Sequence, residues 1–251
     1  MVRSMRRNIG SQLLASVLVN AVYAMKNYPI MLSYTFLSPL SMLLVIFFVS
    51  HGSLLGIGIE GGFIMAMVLS GVSMQGDLSH LKNDLKIQDM VVSSPTTAFV
   101  YILGMAISEL VYSLPSLVTL IVLAALFIHT SLMGAIEIFL AMSLMFAFSI
   151  ALGFMLSTFS SDVIQSWAFS GIVSTFLATI PPVYYPITYI PLPYRYIAYL
   201  SPTTYAAQIA QNAAGYVAVP GAILAIDWIV LIAVSIAIFI IAAKKTRWRE
   251  K

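Results

Sequence analysis

Few side chains in this sequence could do covalent or metal chemistry. The 251 residues include no cysteine, and the three histidines, His51, His80 and His129, are scattered along the chain. Without a thiol there can be no disulfide, thiolate metal site or cysteine nucleophile. The G-x-S-x-G motif of serine hydrolases and the H-E-x-x-H motif of zinc proteases do not occur. These features argue against an enzyme, and they predict no catalytic residue and no metal site on this chain.

One acid, Glu109, lies in the middle of an apolar segment long enough to cross a bilayer. An ionisable group at that depth is costly unless it is protonated, paired or facing water. Glu109 is therefore a candidate to line a transport pathway or to face a polar partner. A carboxyl hydrogen-bonded to a serine or threonine, or one nearer the interface, explains the residue equally well. Glu60, Glu137 and Asp227 lie near the ends of apolar segments and are interpreted as interfacial.

A polar stretch, residues 75–97, separates two apolar segments and combines charges with regularly spaced apolar residues. Leu78, Leu81, Leu85 and Val92 recur at helical spacing, and charged residues intervene. The pattern predicts a helix lying along the membrane surface. An ordinary amphipathic loop fits the same residues.

The next helix is predicted to start just after this stretch. Ser94 followed by Pro95 is typical of an N-cap and a first helical position, because proline has no amide hydrogen to lose there.

The composition identifies the protein class. Hydrophobic residues make up 61% of the chain and charged residues 8%, whereas about a quarter of a soluble domain is charged. The chain is thus a polytopic membrane protein. Its net charge of +3 comes from basic residues at the ends and in short loops, as expected of topology signals rather than of a nucleic-acid partner.

The elements that must position these residues form one all-α membrane domain, 1–251. An interfacial helix is predicted over 1–28, and Pro115 should kink the third span. Gly58 and Gly62 are four residues apart in the second span and should allow close helix packing. Six transmembrane helices are predicted at about 30–49, 55–74, 98–128, 134–159, 163–180 and 223–243. Residues 181–215 are too rich in proline and tyrosine to span; these tyrosines are ordinary interfacial anchors or contacts for an amphiphile.

The distribution of basic residues predicts the orientation. With both termini cytoplasmic, four Lys and Arg at the N-terminus, two in the 75–97 stretch and five at the C-terminus lie inside. That is 11 of 12, and only Arg195 is outside. We therefore expect a multi-pass cell-membrane protein with residues 181–215 on the outer side.

The chain resembles, over nearly its whole length, the six-span permease subunits of type-two ATP-binding-cassette exporters, the ABC-2 type transporter family. The residues that carry the resemblance are the Val92, Ser93, Ser94, Pro95 run with Gly104 beyond it, and, in the outer segment, Tyr185, Pro186, Leu192, Pro193, Arg195, Ser201 and Pro202. The resemblance implies that residues 181–215 form short helices re-entering the outer leaflet. The chain departs from the family at Lys82 to Lys86, where a Gly-Thr-Leu-Glu-like run is common, and at Gln208 and Gln211, where an arginine is common.

The resemblance also implies partners. The chain has no G-x-x-x-x-G-K-[ST] phosphate loop, so ATP and Mg would bind a separate ABC ATPase subunit. The 75–97 helix would couple to that subunit, and a second permease copy, identical or not, would complete the pathway. The residues expected to contact the ATPase are Leu81, Lys82, Asp84, Leu85 and Asp89.

The predicted function is that of the permease subunit of an ATP-driven exporter for a hydrophobic or amphiphilic substrate such as a drug, a lipid or a lipid-linked glycan. An ion-driven transporter that uses Glu109 is the alternative, although the two halves of the chain show no clear inverted repeat. A purely structural membrane subunit is a third reading. The substrate itself and the direction of transport are not written in these residues.

Overall fold

The computed structural model describes residues 9–27, 29–84, 96–160 and 162–245, and all regular structure within them is helical. The helices are α1 Ile9–Val17, α2 Tyr23–Asn27, α3 Pro29–Ser50, α4 Leu55–Ser79, α5 Ala98–Tyr112, α6 Leu114–Phe127, α7 Leu132–Ser157, α8 Val163–Thr179, α9 Arg195–Ala198, α10 Pro202–Ala213 and α11 Gly221–Lys245. π-helical turns at Leu18–Val22 and His80–Asp84 join α1 to α2 and extend α4. The predicted all-α class is confirmed.

Four of the described helices are long and apolar enough to cross a membrane: Ile9–Asn27, Leu55–Asn83, Leu132–Ser157 and Gly221–Ala242. The pair Phe99–Tyr112 and Leu114–Phe127 would add a fifth span, and Pro39–Ser50 and Val163–Thr179 are shorter apolar helices. These helices fit a polytopic membrane protein. The count of six spans and the interfacial position of the N-terminal helix stay predictions.

Helix α4 forms the centre of the bundle. It packs against α3, α5, α6, α7, α8 and α10. In the most apolar 18-residue stretch of this helix 78% is buried inside the bundle, whereas the value for α11 is 17%. The expected packing of its glycines is confirmed. A Cβ at Gly58 would lie 3.1 Å from a methyl carbon of Leu43 in α3, and one at Gly62 would lie 2.8 Å from Leu120 in α6.

The predicted kink before Pro115 is also confirmed. Helices α5 and α6 meet at Ser113 with a bend of 54°, and Pro115 lies in the first turn of α6. Proline is accepted there because the amide hydrogen that it lacks would have no carbonyl acceptor within the first turn of the helix.

Helix α5 begins at Ala98, where the third span was predicted to begin. Thr97 is its N-cap, with a side-chain oxygen that accepts a hydrogen bond from the Val100 amide at 3.4 Å. Thr96 and Thr97 are not helical. The predicted cap at Ser94 and Pro95 lies outside the described residues.

Candidate functional site

Glu109 is buried at the interface between α4 and α5. It is 5% exposed, and its Oε2 accepts a hydrogen bond of 2.9 Å from the Ser73 hydroxyl of α4. The side chain of Asp77, one turn further along α4, is within hydrogen-bonding reach of the same carboxyl. These polar groups tie α5 to α4 in an otherwise apolar interface. Glu109 therefore faces a neighbouring helix in this structure, and its pathway role stays a prediction.

A second polar cluster fastens the C-terminal half of α4 to α8 and to the turn between α7 and α8. The Gln75 amide donates to the Ser160 hydroxyl at 2.8 Å, and Ser170 of α8 donates to the Gln75 oxygen at 3.1 Å. Gln75 and Ser170 are both buried. Gly76, the residue after Gln75, packs against the Trp167 ring of α8. Several neighbouring helices are thus joined to α4 where it approaches its inner end.

The coupling stretch begins as a continuation of α4. Residues 55–83 form one helix of 29 residues, so α4 does not end at 74. Leu78 is buried in a core with Met74 and Met105, and Leu81 is half-buried against the same core. Lys82 is exposed.

Only part of the predicted ATPase-contact set can be placed. Leu81, Lys82 and Asp84 lie at the inner end of α4, in or beside the π-helical turn. Leu85 and Asp89 lie outside the described residues. The contact role of all five stays a prediction.

The outer segment contains short helices, as its broken pattern requires. Pro186 and Pro202 are buried, Tyr185 and Arg195 are half-buried, and Pro193 is exposed. Pro202 opens α10 in a position that suits proline. The segment packs near the outer end of α4 at Gly61, roughly 30 Å along the helix from Lys82 at 1.5 Å per residue. The predicted outer and coupling residues therefore lie at opposite ends of one helix.

Two side chains brace the outer segment internally. Arg195 donates to the carbonyl of Ile190 through Nε at 3.2 Å and to that of Thr188 through a terminal nitrogen at 3.3 Å. Gln211 of α10 donates to the carbonyls of Pro182 and Tyr185, both at 3.3 Å. The segment is therefore a built structure held against α10.

Gln208 of α10 pairs with Asp227 of α11. Its amide nitrogen lies 3.1 and 3.3 Å from the two carboxyl oxygens, and the Tyr199 hydroxyl approaches the Gln208 oxygen at 3.5 Å. Asp227 is 1% exposed and therefore lies inside the bundle, while its predicted position near the membrane interface stays a prediction. The carboxyl is buried because α10 supplies a neutral donor to it.

Glu60 is buried on α4 without a partner. It is 1% exposed, and none of the residues that the structure describes forms a hydrogen bond with either carboxyl oxygen. The outer segment and the loop after α10 cover this end of α4, which sequence spacing could not show. The predicted interfacial position of Glu60 stays a prediction.

Two tyrosines flank Glu60. The Tyr184 ring lies against Gly61, where a Cβ would be 2.6 Å from Cδ1, and the Tyr216 hydroxyl lies against Gly56, one turn before Glu60. Burial raises the pKa of Tyr184 to about 12. Burial also raises the pKa of Tyr216, and the Glu60 carboxyl raises it further. Tyr216 is therefore close enough to Glu60 for the charge of that carboxyl to change its pKa.

Among the described residues no group of three or more His, Asp or Glu side chains could hold a metal ion. The arrangement can transmit motion, because α4 connects its polar end to the end that other residues cover.

Sequence reasoning missed Gln75 and Gln208 and underrated Glu60. Glu60 had a usable signal, because it lies within the run Gly56, Ile57, Gly58, Ile59, Glu60, Gly61, Gly62. An acid among glycines indicates a helix surface that other backbone or rings approach closely. The two glutamines had no such signal, since their importance depends on partners distant in sequence.

The chain matches a known family. The sequence model described as ABC-2 type transporter matches residues 11–214, more than half of the chain. The comparison with curated proteins finds no match.

Proposed function

This chain belongs to the ABC-2 type transporter family and is a permease subunit of an ABC transporter, and we propose that it exports a hydrophobic or amphiphilic substrate using ATP hydrolysed by a separate subunit. The proposed substrate is a drug, a lipid or a lipid-linked glycan. The cell membrane is the proposed location, with both termini cytoplasmic.

The continuity of α4 is the observation that supports ATP coupling. One helix, Leu55–Asn83, extends from the outer segment to the exposed Lys82. Ser73 fastens it to α5, and Gln75 fastens it to α8 and to the turn between α7 and α8. A push on the inner end would therefore move several helices as a rigid body, the usual way in which small shifts are amplified in such switches.

The proposed partner is an ABC ATPase that receives the inner end of α4 in a groove. Leu81, Lys82, Asp84, Leu85 and Asp89 would provide the contacts, with ATP and Mg bound by the partner. A second permease copy, identical or not, would complete the pathway. The exposed apolar surface of the described helices supports insertion in a bilayer around this assembly.

The test is to tag the chain at its C-terminus, extract it gently and identify copurifying proteins by mass spectrometry. We expect a stoichiometric partner with a phosphate loop in the wild type, and its loss in Lys82→Glu and in Asp84→Lys. Lys244→Glu is the matched control, because Lys244 is also exposed but lies at the end of α11, and it should retain the partner.

Two results would contradict the proposal. One is recovery of the wild-type chain without any such partner under conditions where a control complex survives. The other is an ATPase that stays bound to Lys82→Glu and to Asp84→Lys as firmly as to the wild type.

One observation favours the ion-driven alternative. Glu109 and Asp77 place two carboxyl groups side by side at the α4 and α5 interface, an arrangement that proton carriers can use. In vesicles without ATP, transport that follows an imposed proton gradient and disappears in Glu109→Gln would establish this alternative. Transport that requires ATP and survives Glu109→Gln would reject it.

A further inference from the structure

The carboxyl group of Glu60 lacks the partner that a buried charge requires. It is 1% exposed and neither oxygen is hydrogen-bonded within the described part of the chain. An ionised carboxylate at such a position is strongly disfavoured unless a positive charge joins it. The other buried acids differ, since Glu109 bonds to Ser73 and Asp227 bonds to Gln208.

The described residues bring no lysine or arginine to Glu60. Between residues 27 and 243 the only Lys and Arg residues are Lys82, Lys86 and Arg195, and none of the three histidines forms a hydrogen bond with the carboxyl. Lys82 lies at the opposite end of α4, and Arg195 donates to backbone carbonyls of its own segment. A lysine or arginine charge at Glu60 is therefore absent within the described residues, which leaves that place to a ligand.

The groups around Glu60 suit a cation. Tyr184 lies against Gly61 and Tyr216 against Gly56, on the helix turns that flank the carboxyl. Aromatic faces attract organic cations, and they do so more strongly when water is excluded. Tyr184 brings a ring edge, and Tyr216 a hydroxyl, to the helix turns beside the carboxyl, and such groups can line a site for an ammonium or phosphonium group.

Both tyrosines belong to parts of the chain that cover the outer end of α4. Tyr184 is in the outer segment, and Tyr216 follows α10 and donates to the Phe127 carbonyl at the end of α6 at 3.3 Å. We propose that Glu60 and Tyr184, with the exposed Tyr216 at the rim, form a binding site for the cationic group of an amphiphilic substrate, opened when the outer segment lifts from α4. This proposal rests on the proposed export function and names its substrate class.

The test uses two hydrophobic ions of nearly equal size and opposite charge, tetraphenylphosphonium and tetraphenylborate. Their binding to the purified complex in lipid nanodiscs is measured for the wild type, Glu60→Gln, Glu60→Asp and Glu137→Gln. Glu137 is the matched control because it is a half-buried acid in the outer half of α7.

We expect the wild type to bind the phosphonium and to prefer it over the borate. Glu60→Gln should weaken phosphonium binding about tenfold or more, because a desolvated charge contact is lost. Glu60→Asp should keep the preference for the cation, and Glu137→Gln should behave as the wild type.

Equal phosphonium affinity in Glu60→Gln and the wild type would overturn the proposal. The glutamine amide is an uncharged isostere of the protonated acid, so this result would mean that Glu60 binds only a proton. Failure of the wild type to bind the phosphonium would overturn it as well. Copurification of the ATPase with Glu60→Gln is measured in parallel. If Glu60→Gln retains the ATPase and binds the phosphonium as tightly as the wild type, only the cation site is rejected. If the wild type itself copurifies with no ATPase, the proposed function is rejected.

Discussion

Three buried acids in this protein have three different environments. Glu109 accepts a hydrogen bond from a serine, Asp227 receives a glutamine amide, and Glu60 has no partner among the described residues. The first two bonds join helices distant in sequence, so they stabilise the bundle. The lack of a partner at Glu60 is what marks that residue as a binding group rather than a structural one.

The pair of Gln208 and Asp227 gives the first prediction. Gln208→Leu removes the only described donor to a carboxyl that is 1% exposed, and it should destabilise the protein by about 1–3 kcal/mol. In the double variant with Asp227→Leu the penalty should be largely relieved, because no buried polar group is then left unpaired.

The measurement is the thermal unfolding midpoint of the purified protein, followed by tryptophan fluorescence, in a double-mutant cycle. Asp227→Leu alone completes the cycle. Additive losses from the two single variants would show that Gln208 and Asp227 do not interact and would contradict the assignment.

At the scale of elements, the crossing of α4 and α7 fixes the bundle. Gly71 of α4 faces the backbone of α7, where a Cβ would lie 2.5 Å from the Ser149 carbonyl carbon and 2.6 Å from the Ile150 nitrogen. Gly153 of α7 in turn meets the Gly71 carbonyl. Backbone atoms cannot rotate away as a side chain can, so this crossing depends on the absence of a Cβ.

Gly71→Val should therefore force the two helices apart. Overpacking of this kind costs about 1–3 kcal/mol, which corresponds to a fall in the thermal midpoint on the order of 2–12 °C for a chain of this size. The midpoint and the monodispersity on size-exclusion chromatography are the measurements.

Gly171→Val is the matched control for the crossing. Gly171 lies in α8, and a Cβ there would meet nothing within 4 Å. A control midpoint close to that of the wild type is expected. Equal losses in the two variants would mean that valine itself, rather than the crossing, is responsible.

The outer segment is a second case in which contacts between elements decide the structure. Gln211 holds Pro182 and Tyr185, while Asn212 beside it accepts a hydrogen bond from the Val219 amide at 3.0 Å. One turn of α10 thus fastens the chain both before and after itself. This is the cover beneath which Glu60 lies.

At the scale of the whole molecule, the orientation predicted from the basic residues can be tested directly. The chain has no cysteine, so any single introduced cysteine is labelled against no background. Thr188 in the outer segment and Lys82 at the coupling end are both exposed. In intact cells a membrane-impermeant maleimide should label Thr188→Cys and should not label Lys82→Cys.

After solubilisation in a denaturing detergent, which also removes any bound ATPase, both variants should be labelled to similar extents, and this is the control for reactivity. The expected result follows from the excess of Lys and Arg in cytoplasmic loops. Labelling of Lys82→Cys but not of Thr188→Cys in intact cells would reverse the orientation and would also remove the basis for a cytoplasmic ATPase contact.

Much of this protein could be predicted from the sequence, because hydrophobicity and proline placement act locally. The membrane class, the all-α fold, the bend before Pro115 and the broken pattern after Ile180 follow from apolar length and from the missing amide of proline. Family membership followed from the combination of these segments. The sequence did not single out Thr97 as the N-cap of α5, since several hydroxyl side chains precede this helix.

Only the tertiary structure decided which polar residues are buried and what they contact. Spacing placed Glu60 and Asp227 near the ends of apolar segments, but the cover over α4 and the donor from α10 come from residues distant in sequence. The continuation of α4 through Asn83 likewise depends on Leu78 finding a core with Met74 and Met105. The sequence by itself determined that the chain enters a membrane as helices, because burial of apolar surface is a property of each segment. The choice between a paired acid and an unpaired one required the packed bundle, because a hydrogen bond depends on the distance between two particular groups.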